Sequence, residues 1–290
     1  MRLVSFVERG DLSALRTGVM LEGEVVDLTD PAVGLPGDMT QLLVEGPGAL
    51  ERAADAPRSG APRLPAALVH LRPPVPHPPK VLGIGLNYGA HIAETGAPRP
   101  EYQVWFNKQR TCVIGPGDAI EVPRQSEQVD YEGELAMVVG RRCRRVSVSE
   151  APSVVAGFTI CNDVTVRDWQ WRTPTWTLGK SFDTHGPTGP WIVAGDDMAD
   201  PHGLRLRTWV NDDLRQDSST GDMIFSCWEQ VSYLSEVFTL EPGDIISTGT
   251  PAGVGMSFDP PRWLAAGDVV RITVDGIGTL ENPVVDEPPG

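Results

Sequence analysis

Residues 129–140, VDYEGELAMVVG, constrain the fold more than any other stretch. In an extended chain, alternate side chains point to opposite faces. Tyr131, Gly133, Leu135, Met137 and Val139 then share one face, and Asp130, Glu132, Glu134, Ala136 and Val138 share the other. The first face suits a core. The second opens with three carboxylates in a row, which repel one another. Such a strand must either turn its acids to water at a sheet edge or gather a counter-charge around them.

The rest of the chain is cut into short pieces. The 31 glycines and 27 prolines predict many turns. Strand-like runs include KVLGIG, DAIEVP, SVVAGFTICNDV, GPWIVA, LRLRTWVND, DIISTGT and VVRITVDGIGTLEN. Helical patterns are few: 88–95, 163–171 and 228–237, with a weaker one over 38–56. Regular strand–helix alternation is absent, which argues against a doubly wound parallel sheet. The expected class is α+β, predominantly β: a sandwich or roll with a few short helices. The 290 residues allow roughly two domains or one large one. Residues 1–30 read as short strands with a hairpin turn at Glu22-Gly23. RPPVPHPP (72–79) holds five prolines in eight residues and is stiff and extended. It is expected to link a small N-terminal α/β domain (1–71) to a larger domain (80–290).

Charge narrows the partners. With 39 acids against 24 bases the formal net charge is −15, which argues against a nucleic-acid partner. The one basic cluster, RRCRR (141–145), reads as a solvated strand end or turn. Cys112, Cys143, Cys161 and Cys227 are far apart and show no C-x-x-C pairing, so neither a disulfide framework nor a zinc site is expected. Reduced thiols, no signal-peptide pattern in MRLVSFVERGDL and no run near the roughly 20 apolar residues of a membrane span lead to a cytoplasmic expectation.

Five constellations could carry chemistry. Glu132 and Glu134 share a strand face, and Asp163 follows another apolar strand. Three carboxylates crowded in a low-dielectric place need a counter-charge. An all-oxygen set suits Mg²⁺ or Mn²⁺, with Ca²⁺ able to substitute. Acids facing water on an edge strand would show the same spacing. His91 and Glu94, three apart in GIGLNYGAHIAETG, would meet on one helical turn, as a general base with its orienting carboxylate or as a plain surface pair. Gly89 and Gly96 bracket that turn and would let it move as a lid. If NDVTVRDWQWR is helical from Asp163, then Asp163, Arg167 and Gln170 line one wall, and Arg167 could hold a carboxylate. LGKSFDTHGPTGP is not a phosphate loop, because Pro174 stands where that motif needs glycine. Lys180 remains a point charge for an enolate or carboxylate, and His185 reads as structural. Thr250 stands in the glycine-rich loop after DIISTGT, which could form an anion nest or a tight hairpin. Phe106 and Lys108 are weaker pocket candidates.

Six stretches in order, GLNYGAHIAE, WFNK, DYEGELAMVVG, NDVTVRDWQ, GKSFDTHGP and PGDIISTGTPAGVG, resemble the fumarylacetoacetate hydrolase superfamily across roughly 80–285. The match is closer to its shorter bacterial members than to tyrosine-degrading fumarylacetoacetase. The resemblance implies a mixed β-sandwich roll and a homodimer. It implies Mg²⁺ or Mn²⁺ on Glu132, Glu134 and Asp163, a His91–Glu94 dyad on a lid helix, and Lys180 beside the substrate. It implies substrate contacts for Arg167 and Gln170, and a carboxylate-receiving loop at Thr250. The expected substrate is a small 2-oxo acid that chelates the metal and passes through an enolate. Hydrolysis of a carbon–carbon bond in a 2,4-diketo acid is the leading expectation. Decarboxylation of an oxaloacetate-like acid and isomerisation of a 2-hydroxyhepta-2,4-diene-1,7-dioate-like acid are the alternatives. A non-catalytic 2-oxo-acid-binding protein is the remote one.

Overall fold

The structure is a computed structural model and describes residues 1–194, 197–198 and 200–289. Strand outweighs helix, as the short Gly- and Pro-bounded runs predict. A 12-stranded mixed sheet has the central order Arg2–Glu8, Gly186–Ala194, Val155–Asn162, Gly133–Val139, Ile245–Ser247, Val81–Gly85 and Val104–Lys108. A five-stranded sheet runs Asp213–Ser219, Arg205–Val210, Val269–Val274, Gly278–Asp286 and Ile120–Val122. Among the described residues no helix is long and apolar enough to cross a membrane.

The alternation in 129–140 sets the packing. Leu135, Met137 and Val139 enter a core shared with Phe158, Ile160, Leu206, Ile272 and Leu280, between the two sheets. Full burial stabilises each such side chain by roughly 1.5–3 kcal/mol. Ala136 and Val138 point the other way, but not to water. They pack with Leu3, Leu28, Met39 and Leu42 of the N-terminal part in a second core. The acids that precede them on that side are therefore buried too.

The N-terminal sheet is continuous with the rest. Arg2 pairs with Val193 and Leu3 with Ile192, so hydrogen bonding crosses the boundary that the sequence sets at 72–79. The proline segment is packed as well: Val75 is buried, and Ser5 Oγ donates to the Pro74 carbonyl at 2.8 Å. At the Glu22-Gly23 turn both residues have positive φ, 51° and 85°, matching a tight hairpin whose twist suits its strands.

The helices differ from expectation at one place that matters. Gly89–Thr95 and Cys227–Val237 form where the periodicity puts them, the second with a Ser226–Glu229 capping box. The 38–56 pattern splits into Met39–Val44 and Pro47–Asp55 at Gly46, where φ is +80°. The 163–171 pattern shrinks to Arg167–Gln170. Thr165–Val166 is held extended by pairing with Val129–Asp130, so Asp163 lies just past a strand end and shares no helix with Arg167. RRCRR lies as expected: its four arginines are exposed and Cys143 is tucked under them.

Candidate active site and metal centre

Two central strands deliver the acids to one place. Glu134 lies on Gly133–Val139, Glu132 just before it, and Asp163 just past Val155–Asn162, whose Asn162 pairs with Gly133. One carboxylate oxygen from each falls within 4.8 Å of the others. Glu132, Glu134 and Asp163 are buried, at 4%, 1% and 0% exposure.

Protein cations answer much of this charge. Lys180 Nζ reaches Glu132 Oε2 at 2.7 Å and Asp163 Oδ2 at 2.6 Å. Lys108 Nζ reaches Asp163 Oδ1 at 2.6 Å. Arg167 Nη1 meets Glu132 Oε1 at 2.7 Å, while its Nε donates to Asp130 Oδ2 at 2.9 Å. Lys108, a weak pocket candidate by sequence, is thus a buried counter-ion of the site. Period-2 alternation with Phe106, which lines the cavity, was the available signal. Asp130, set among the acids by sequence, is fully buried but serves as a brace. Besides Arg167 it accepts from the backbone of Gly255 at 2.7 Å and Met256 at 3.0 Å. It thereby fixes the glycine-rich loop to the arginine.

The count still falls short: Asp130, Glu132, Glu134 and Asp163 face Lys108, Arg167 and Lys180, four acids against three bases. The shortfall shows at Glu134. Burial pushes its carboxyl well above the usual range, and Asp163 and Glu132 push it further. Ser247 Oγ at 2.5 Å and the Gly249 amide at 2.8 Å oppose this without matching it. Burial would raise Glu132 too, but Lys180 and Arg167 overcome it and hold that carboxyl well below the usual range. A hard divalent cation fits the donor set, since it would supply the missing positive charge beside Glu134 with oxygen ligands only.

The other candidates gather around the same space. Ile84, His91, Phe106, Glu132, Glu134, Arg167, Gln170, Lys180 and Thr250 line one cavity of about 150 Å³. His91 Nδ1 lies 2.7 Å from Glu94 Oε1, and Glu94 Oε2 accepts from the Gly253 amide at 2.9 Å. The short helix is thereby tied to the glycine-rich loop. Gln170 Oε1 accepts from Arg167 Nη1 at 3.0 Å. The Thr250 hydroxyl donates to the Gly133 carbonyl at 3.0 Å and accepts from Gln216 Nε2 at 2.8 Å, so it braces the loop as well as lining the cavity. His185 lies apart, fully buried, with Nε2 2.8 Å from the Glu121 carbonyl. Gln216 and Ser247 had no signal in the sequence, because each acts from a strand distant in the chain.

This arrangement sits on a sequence that matches the Fumarylacetoacetate (FAA) hydrolase C-terminal family over residues 80–285. The chain belongs to the fumarylacetoacetate hydrolase family. Among family members it is 40% identical over 289 residues to the oxaloacetate tautomerase fahd2, mitochondrial, of Xenopus laevis, covering 98% of this chain and 90% of that one. In structure it resembles a putative HpcE protein from Mycobacterium smegmatis, with TM-score 0.89 and 33% identity over 99% of this chain and 100% of that one. It also resembles maleylpyruvate hydrolase from Sphingobium sp. SYK-6, solved with manganese(II) and pyruvate, with TM-score 0.82 and 34% identity over 99% and 100% of the chains. The relatives and structural neighbours it matches include hydrolases, isomerases and oxaloacetate tautomerases.

Proposed function

We propose that this chain is a divalent-metal-dependent enzyme that transfers a proton at the carbon beside the oxo group of a small 2-oxo acid, interconverting its enol and keto forms. The observation that carries this reading is His91, braced by Glu94, lining the same small cavity as Glu132 and Glu134, two of the three clustered buried carboxylates. A divalent cation held by Glu132, Glu134 and Asp163 would supply Lewis-acid stabilisation of the developing enolate charge. The chain's own residues then need to do little. Glu94 accepts from His91 Nδ1–H, which leaves Nε2 to take or give the proton at carbon. Lys180 brings a positive charge to the oxygen that gains electron density. The cavity, about 150 Å³, is below the usual size for drug-like ligands and suits a small acid. The 40% identity with oxaloacetate tautomerases supports the reaction class.

Hydrolysis of a carbon–carbon bond in a 2,4-diketo acid is the second reading. It is favoured by the likeness to maleylpyruvate hydrolase, and it would use His91 to deprotonate water. One assay separates the two. Oxaloacetate enol decay and acylpyruvate cleavage are followed with Mg²⁺ or Mn²⁺, and again with a chelator. Chelator-sensitive acceleration of enol decay is expected. Enol decay no faster than in buffer, alongside rapid acylpyruvate cleavage, would replace the first reading with the second.

A further inference from the structure

Proton transfer uses only one end of the cavity. The cavity is also lined by Leu86, Ala97, Phe106, Trp171, Trp176 and Met256; Phe106 stands next to the acids, its ring centre 4.9 Å from Lys180 Nζ, and Trp176 and Trp171 follow beyond it. The Phe106 and Trp176 rings lie 5.9 Å apart, and Trp176 meets Trp171 edge-on at 6.2 Å. Trp171 is 57% exposed, so it stands at the mouth.

The backbone is shaped to admit these rings. A Cβ at Gly83 would come within 2.4 Å of the Phe106 ring, and one at Gly85 within 2.3 Å of Trp176. Both rings therefore press on bare strand. Leu86 and Trp176 hold positive φ, 56° and 60°, a conformation that strains a bulky residue. Strain at two bulky residues lining one cavity points to function.

Charge completes the argument. The cations that line the cavity are turned toward the acids: Arg167 to Asp130 and Glu132, Lys180 to Glu132 and Asp163. The six aromatic and aliphatic residues named above carry no charge. A second carboxylate placed there would lose water and gain no partner. A ring would gain edge-to-face contacts.

We propose that the site selects 2-oxo acids whose distal group is an uncharged aromatic ring, with Phe106, Trp176 and Trp171 as the residues that read it. The inference rests on the proton-transfer reading and names its substrate class. The step balances without a co-reactant: the enol oxygen gives up its proton as the adjacent carbon gains one, and no electrons leave the molecule.

The test compares enol decay of phenylpyruvate and of oxaloacetate, both with Mn²⁺. The expected kcat/KM is at least tenfold higher for the aryl acid. Trp176→Ala should lower the aryl-to-dicarboxylate ratio at least tenfold. The exposed Trp171→Ala, which threatens the fold least, should lower it about threefold. A preference for oxaloacetate, or a ratio unmoved in both variants, overturns the inference and leaves proton transfer standing. If neither acid is turned over, the proton-transfer reading fails. Thermal shifts with the two acids then decide the inference alone, and a larger shift with the dicarboxylate overturns it.

Discussion

At the acid end of the cavity, groups are held by charge: Lys180, Lys108 and Arg167 pin Glu132, Asp163 and Asp130 at 2.6–2.9 Å. At the aromatic end, groups are held by shape, with rings seated against Gly83 and Gly85. The first device fixes the chemistry and tolerates little change. The second is adjustable, because apolar contacts have no polar partner to strand. The contrast repeats inside the acid end. Glu132 has two cations in contact, whereas Glu134 has a hydroxyl, an amide and like-charged neighbours.

The largest expected effects test that inner contrast. Glu132→Gln and Glu134→Gln should each weaken Mn²⁺ binding and reduce activity at least 10³-fold, because each removes a proposed ligand. Their stabilities should diverge. Glu132→Gln strands buried cations and should cost about 3–5 kcal/mol. Glu134→Gln replaces a buried carboxyl that, among the described residues, has no cation in contact, and should be neutral or stabilising. Urea denaturation in chelator measures both. Equal destabilisation would erase the distinction between the two acids.

His91→Ala comes next. It should lower turnover by about 10²–10⁴-fold, the reach of general acid–base catalysis, with metal affinity kept. Full activity would remove His91 from the chemistry. At the aromatic end, Gly85→Ala should act through Trp176, which must shift to admit the new methyl. Overpacking of this kind costs about 1–3 kcal/mol. The expected change is in substrate preference more than in turnover of the smallest acid. A loss as large as that of His91→Ala would show that the two ends are not separable.

Much of the acid end was legible because it is local. Two acids at i and i+2 beside an apolar face, and His91 and Glu94 at i and i+3, are periodicity arguments, and the structure places all four residues around one cavity, with His91, Glu132 and Glu134 lining it. What could not be read depends on sheet order. Lys108 meets Asp163 across 55 residues, and Arg167 meets Asp130 across 37. No local pattern announces either pair. The expected helix from Asp163 failed for a related reason: Thr165 and Val166 are claimed by Val129 and Asp130 from a distant segment. The N-terminal part was legible in its strands and helices. The pairing of Arg2–Glu8 with Gly186–Ala194, which merges it into the main sheet, was not.

The smallest effect concerns the two histidines, one in the cavity and one outside it. His185 is fully buried, and burial holds its pKa at about 4, below the usual 6.5, although the Glu121 carbonyl pulls the other way. Between those values the unfolded chain binds a proton that the folded chain does not. Stability is therefore complete above about pH 6.5, declines as pH falls, and levels off below about pH 4. At pH 5.5 the loss from this one group is about 1.4 kcal/mol. His185→Gln should flatten that limb of the stability curve and leave the pH dependence of turnover unchanged. His91→Gln should do the reverse, abolishing turnover while the acid limb of stability persists. If His185→Gln moved the activity profile instead, the division between a catalytic and a structural histidine would fall.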